Sequence, residues 1–201
     1  LGLRLGKRLA DRTDFADFLF SESLWPQVDA PRGALSPYSD LGYILWGLAA
    51  ERVTGRSLAD LLDAHVAEPL GLAPLGALAA RPPAEEIVEC RLDNGREVEL
   101  AAELGLRLSR QAPHLRGVPQ DGNARASGFL TAHAGLFVTA EEMLALGREW
   151  LRPERLLTPA AVARALAGEG LRAFGWMRQS ADGSSGPDLE SAAFGHAGFT
   201  G

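Results

Sequence analysis

The sequence predicts an α+β fold in which helices dominate and the strands gather toward the C-terminal end. Capped, periodic helix patterns fill much of residues 1–170. Two segments typical of strands, 171–178 and 192–201, follow them and are separated by a glycine- and serine-rich turn. We therefore expect a mainly helical lobe over 1–170 and the start of an antiparallel sheet lobe over 171–201.

The first clear helix lies within residues 37–55, PYSDLGYILWGLAAERVTG. Its apolar residues recur at i, i+3, i+4 and i+7, as one face of a helix requires: Leu41, Ile44, Leu45 and Leu48. Asp40 is a candidate N-cap, and Gly55 is a natural C-terminal stop. Tyr38 lies just outside this helix, where it is either a half-buried aromatic residue or a side chain that reaches into a cleft.

Two glycines inside this helix need an explanation. Gly42 and Gly47 each weaken a helix by roughly 1 kcal/mol relative to Ala. We therefore expect another part of the backbone to approach this helix closely.

The remaining elements have local signals of different kinds. Ser57 followed by Asp60 starts a helix with a capping box, Thr139 caps a helix that runs to about Leu151, and Thr158 before a proline starts another. Between them, residues 87–92 and 96–100 flank an Asp-Asn-Gly turn, which predicts a small hairpin.

Composition excludes several classes of function. The 201 residues carry a net charge of −6, and no basic patch is available to bind nucleic acid. No run of apolar residues is long enough to span a membrane. Cys90 is the one cysteine, so no intrachain disulfide can form.

Common catalytic motifs are missing as well. The sequence has no Gly-x-Ser-x-Gly elbow and no glycine-rich phosphate loop. Its four histidines have no metal-ligand spacing: His65, His114, His133 and His196. We therefore expect no metal and no other cofactor.

A His-Ala-Gly triplet occurs twice. His133 begins the first copy in a run of small residues, where tight turning is a sufficient explanation. His196 begins the second, within a predicted strand over 194–201 that also contains several glycines. Glycine inside a strand often marks the close approach of a ligand or another backbone, so the second copy is the better functional candidate.

Three segments occur in this order along the chain: YSDLGYILWGLAAERVTG, HAGLFVTAEEM and FGHAGFTG. Together they resemble the serine β-lactamase and penicillin-binding protein superfamily, and they are closest to its class C and esterase-like branch. The resemblance covers residues 37–201 and implies a β-lactamase/transpeptidase-like fold. In that family a Ser-x-x-Lys motif supplies the nucleophile, Tyr-x-Asn is the second motif, and Lys-Thr-Gly or His-Thr-Gly is the third.

The resemblance assigns roles to six residues. Tyr38 shuttles a proton to the leaving group, Asp40 orients the substrate or the lysine, and His196 begins the third motif. The resemblance also implies a substrate-binding and oxyanion segment formed by three consecutive residues: Ala197, Gly198 and Phe199. Gly198 lets a substrate lie against the strand, and the amide of Phe199 forms half of the oxyanion hole.

The sequence departs from the family pattern at three places. Lys7 is the only lysine and no serine precedes it, so the Ser-x-x-Lys motif is absent. Asp40 replaces Asn, and Ala197 replaces Thr and lacks the hydroxyl that the family directs toward a substrate carboxylate. We expect the 201 residues to be a fragment of a longer protein, inactive alone, with the nucleophile upstream.

These observations predict a serine hydrolase that forms an acyl-enzyme with a small-molecule carboxylic ester, amide or peptide rather than a true β-lactamase. The alternative is an inactive penicillin-binding-like module that binds a peptidoglycan fragment, a lipid or a protein partner. A helical domain with accidental motif matches is a third reading. The resemblance favours a periplasmic or secreted location, with a cytoplasmic location left open.

Overall fold

A computed structural model describes residues 40–76, 86–91, 95–103, 105, 107, 110, 114–128, 130–167, 171–180 and 187–198. The chain divides into two compact units, Leu1–Val138 and Thr139–Gly201. This division falls earlier than the predicted lobe boundary at 170/171. The two helices of 140–166 therefore belong to the same unit as the last strands.

The first element that the structure describes in the first unit is helix α1, Asp40–Thr54. Ile44, Gly47 and Leu48 are buried on one face, as the predicted apolar pattern requires. The helix ends where Gly55 adopts φ 67° and donates its amide to the carbonyl oxygen of Glu51 at 2.8 Å, which confirms the predicted stop.

A second helical stretch packs on α1 through its start. It comprises α2 (Leu58–Leu62), a π-helical turn (Asp63–Ala67) and α3 (Glu68–Leu70). Ser57 and Asp60 form the predicted capping box. The amide of Leu58 donates to Glu51 Oε1 at 2.7 Å, which ties the start of α2 to the last turn of α1.

The predicted hairpin at 87–100 is wrong. Strand β1 (Glu89–Arg91) pairs antiparallel with β2 (His114–Arg116), while Gly95–Glu103 forms helix α4. The local Asp-Asn-Gly signal is overridden because the segment GREVELAAE is rich in good helix formers and buries Ala101 fully. The strand partner comes instead from a segment in which no strand was predicted.

The first unit ends with a short helix and a tight turn. Helix α5 (Gly122–Ala126) is capped by Asp121, whose carboxylate accepts the amide of Ala124. Thr131 and Ala134 then close a turn, in which the Thr131 amide donates to the Ala134 carbonyl oxygen at 2.9 Å.

The second unit packs two helices with a two-stranded sheet. Helices α6 (Ala140–Leu151) and α7 (Pro159–Leu166) start at Thr139 and Thr158, which confirms both predicted caps. Strands β3 (Met177–Arg178) and β4 (Phe194–Gly195) pair antiparallel. Trp150 on α6 meets Trp176 and Phe194 edge to face at 5.0 and 6.3 Å, so an aromatic cluster holds the sheet against α6.

Candidate functional site

Of the three residues in the predicted second motif, the structure describes Asp40, which is the first residue of α1. It is half-buried and lies in the first turn, where a carboxylate interacts favourably with the positive end of the helix dipole. Tyr38 precedes it outside the described residues, and its assigned role stays a prediction. Phe199 also lies outside them.

The predicted third motif follows directly after β4. His196, Ala197 and Gly198 are exposed and continue the chain past the last paired residue, Gly195. His196 Nδ1 is 2.8 Å from the carbonyl oxygen of Ala197. Because a carbonyl oxygen only accepts, the proton of this contact is carried by Nδ1.

The two predicted strands are shorter than expected. Residues 171–178 turn back on themselves at Gly175 (φ 81°), and the Ala173 amide donates to the Trp176 carbonyl oxygen at 2.8 Å. Regular pairing between the two strands stops at Met177 and Gly195.

A small cavity lies beside the third motif within the second unit. Its volume is about 220 Å³, and its lining includes Met177, Leu189, Phe194, His196 and Ala197. Apolar side chains dominate this lining, and the polar side chains of Arg178, Gln179 and His196 also border it. The apolar part has room for a short acyl or alkyl group.

Two charged side chains hold backbone segments of the second unit in place, and one of them, Arg178, also lines the cavity. Arg178 donates from Nε and Nη2 to the Leu166 carbonyl oxygen at 3.0 and 2.9 Å, and so binds the C-terminal end of α7. Glu149 on α6 is 5% exposed and accepts backbone amides from four consecutive residues, 154–157. Its pKa is lowered, first by the hydrogen bond from the Leu156 amide, although burial raises it.

A buried polar network in the first unit was not predicted. His133 Nε2 lies 3.0 Å from Asp121 Oδ1, and His133 Nδ1 lies 2.7 Å from Thr131 Oγ1. The His133 side chain is 3% exposed and that of Asp121 is 30% exposed. Partial burial raises the pKa of Asp121, but hydrogen bonds from His133 and the Ala124 amide outweigh it and hold the pKa below its ordinary value.

The structure therefore separates the predicted site residues into two groups. Asp40 belongs to the first unit, whereas His196, Ala197 and Gly198 lie together in the second. The His133 network had no sequence signal beyond the histidine itself, because its partners lie at unrelated spacings. The turn predicted around His133 is confirmed, with Gly135 at φ 99°.

Two further observations concern ligands and membranes. Within the part of the chain that the structure describes, no three His, Cys, Asp or Glu side chains cluster in a way that could hold a metal ion. No helix among those same residues has the length and apolarity needed to cross a membrane.

Comparison with known proteins gives one positive finding. The family model described as Beta-lactamase matches residues 3–201, nearly the whole chain. Neither curated proteins nor solved structures give a significant match.

Proposed function

Because the chain belongs to the Beta-lactamase family, we propose that it carries two of the three catalytic motifs of a serine hydrolase working through an acyl-enzyme. The family is one of serine hydrolase-like proteins that act on small molecules. The finer proposal is that the substrate is a carboxylic ester or amide rather than a β-lactam.

The proposed chemistry divides among the motifs. A serine of a Ser-x-x-Lys motif, outside the 201 residues, attacks the substrate carbonyl after its proton passes to a neighbouring base. Tyr38 returns a proton to the departing alcohol or amine, and Asp40 orients its neighbours by hydrogen bonding. Water then hydrolyses the ester formed with serine, which restores the enzyme.

The third motif is proposed to bind the acyl part of the substrate. Gly198 offers backbone without a side chain, and the amide of Phe199 stabilises the negative charge that develops on the carbonyl oxygen. The contact between His196 Nδ1 and the Ala197 carbonyl oxygen fixes the imidazole ring, so that its other edge is held in one direction. Without the nucleophile, the 201 residues alone are proposed to be inactive.

The proposal of an ester or amide substrate rests on the residue at position 197. Ala197 is exposed at the end of β4 and lines a small, mainly apolar cavity. A methyl group there cannot donate the hydrogen bond that a threonine hydroxyl would give to a substrate carboxylate. An uncharged ester with a short acyl group matches the apolar part of that lining and needs no such hydrogen bond.

The second candidate is a non-catalytic binding module, favoured by the absence of Ser-x-x-Lys from the sequence. Such a protein uses the same motifs to hold a peptidoglycan fragment, a lipid or a protein partner without forming a covalent bond.

Two covalent probes discriminate these proposals on the full-length protein. We expect a fluorescent fluorophosphonate to label it and a fluorescent penicillin to label it far more slowly. Equal labelling by both would indicate a peptidase or β-lactamase, and labelling by neither would favour the binding module. The 201-residue chain serves as the matched control, which neither probe should label.

A further inference from the structure

His133 is a buried histidine that the proposed mechanism leaves unused. Its side chain is 3% exposed, and both ring nitrogens meet a polar partner: Asp121 Oδ1 at 3.0 Å and Thr131 Oγ1 at 2.7 Å. Burying a polar ring in this way is favourable only when its hydrogen bonds are made, so the pair of contacts fixes the ring in place.

The partners of His133 are themselves structural anchors. Asp121 caps α5 by accepting the Ala124 amide at 2.7 Å with the same oxygen that faces His133. Because an ionised carboxylate only accepts, Nε2 carries the proton of that contact. Thr131 closes the turn through its backbone and its hydroxyl, which lies 3.1 Å from the Ala134 carbonyl oxygen.

The turn that His133 stabilises packs closely against α1. A Cβ added at Gly47 would lie 2.8 Å from Ala132 Cβ and 3.5 Å from the Ala132 amide nitrogen. Ala132 is flanked in sequence by Thr131 and His133, so the network holds a residue of the turn that lies against the middle of the helix. Asp40 precedes Gly47 by about two helical turns, ~10 Å along the axis.

We propose that His133 is a positioning residue for acylation: with Asp121 and Thr131 it locks the turn at Ala132 against Gly47, and thereby sets where α1 presents its first residue. The catalytic half of this proposal rests on the proposed function. A helix is stiff over two turns, so loosening the contact at Gly47 displaces Asp40. Displacements near 1 Å reduce catalytic rates by roughly 100-fold.

The first test measures the burst phase of p-nitrophenyl butyrate hydrolysis by full-length variants, because the burst reports acylation directly. His133→Ala should lower the burst rate constant at least 10-fold and leave the substrate dissociation constant, read from the concentration dependence of the burst, within twofold, because the substrate still binds but meets misplaced groups. The matched control is Ser57→Ala, which removes the cap of α2 and leaves the hydrogen bonds of the turn in place. It should leave both constants within twofold. Equal burst rate constants for His133→Ala and wild type overturn the proposal.

A milder variant guards against misfolding. Thr131→Val removes the hydroxyl and keeps the shape, so it should lower the burst rate constant about threefold to tenfold, and an unchanged rate constant contradicts the proposal. Gly47→Ala and His133→Ala should also be non-additive in this rate constant, since both disturb one contact. Independent, multiplicative effects overturn the proposed route through Gly47.

Amide hydrogen exchange tests the structural role of His133 separately from its effect on catalysis. His133→Ala should speed exchange in α1 more than in α2, and Ser57→Ala should do the reverse. Unchanged exchange in α1 overturns the positioning role whatever the activity. Suppose that a fluorophosphonate does not label the wild-type protein while His133→Ala still speeds exchange in α1. In that case the proposed function fails, whereas the proposal that His133 holds α1 in place stands.

Discussion

Gly47 is the position at which the structure makes the sharpest prediction about stability. An added Cβ there would lie 2.8 Å from Ala132 Cβ and 3.7 Å from Leu58 Cδ2, whereas Gly42 on the same helix has no neighbour within 4 Å among the described atoms. Carbon atoms prefer separations of about 3.5–4.0 Å, so Gly47→Ala requires a shift of roughly 0.7–1.2 Å between α1 and the turn.

The magnitude follows from comparing the two glycines. Overpacking a buried contact costs about 1–3 kcal/mol. Replacing glycine by alanine inside a helix returns roughly 1 kcal/mol at either position. That gain cancels when Gly47→Ala is compared with Gly42→Ala. The two variants should therefore differ by about 1–3 kcal/mol in free energy of unfolding, with Gly42→Ala the more stable.

Urea denaturation followed by circular dichroism measures this difference, because both variants expose similar surface on unfolding. A suppressor sharpens the test: Ala132→Gly removes the methyl group that Gly47→Ala meets, so the double variant should recover most of the lost stability. The reasoning is refuted if Gly47→Ala is as stable as Gly42→Ala, or if Ala132→Gly gives no recovery.

Three further predictions concern charge and substrate. Glu149→Gln should lower the melting temperature and increase proteolysis at 152–157, because one amide oxygen replaces the two carboxylate oxygens that accept four backbone amides. Since the folded-state pKa values of Asp121 and Glu149 are lowered, the unfolded chain binds more protons in acid. Stability should therefore be full above the unfolded pKa values of about 4 and fall as pH drops through the folded ones, less steeply in Asp121→Asn, as melting curves from pH 3 to 7 would show. Ala197→Thr should raise the rate of penicillin labelling about tenfold or more relative to ester hydrolysis, because a hydroxyl hydrogen bond to a carboxylate contributes about 1.5–3 kcal/mol; an unchanged ratio of the two rates would contradict the substrate proposal.

Local signals were sufficient for the helix starts. Ser57, Thr139 and Thr158 each cap a helix by bonding to a backbone amide three residues ahead, and that information is contained in a few neighbouring residues. The hairpin prediction failed for the opposite reason. Strand β1 pairs with a segment beyond α4, and tertiary burial of Ala101 decides the structure of 95–103.

The candidate site also combines features that local sequence predicts with features that depend on tertiary packing. Asp40 and the residues from His196 to Gly198 could be proposed from the sequence because their motif spacing is short, and their roles stay predictions. The close approach expected from the two helix glycines is confirmed at Gly47, while Gly42 meets open space within the described structure. The network of His133 with Asp121 could not be predicted, because a hydrogen bond between residues 121 and 133 depends on how α5 and the following turn pack.

The acyl-enzyme itself is the central claim, and rapid-quench mass spectrometry of the full-length protein tests it most directly. Mixing with p-nitrophenyl acetate should release a stoichiometric burst of p-nitrophenol and leave an acetyl group on the serine of a Ser-x-x-Lys motif. Tyr38→Phe should slow the burst by about 100-fold while the protein stays folded, since general acid–base groups contribute roughly 10²–10⁴ in rate. Linear release from time zero with no acylated serine would contradict the account.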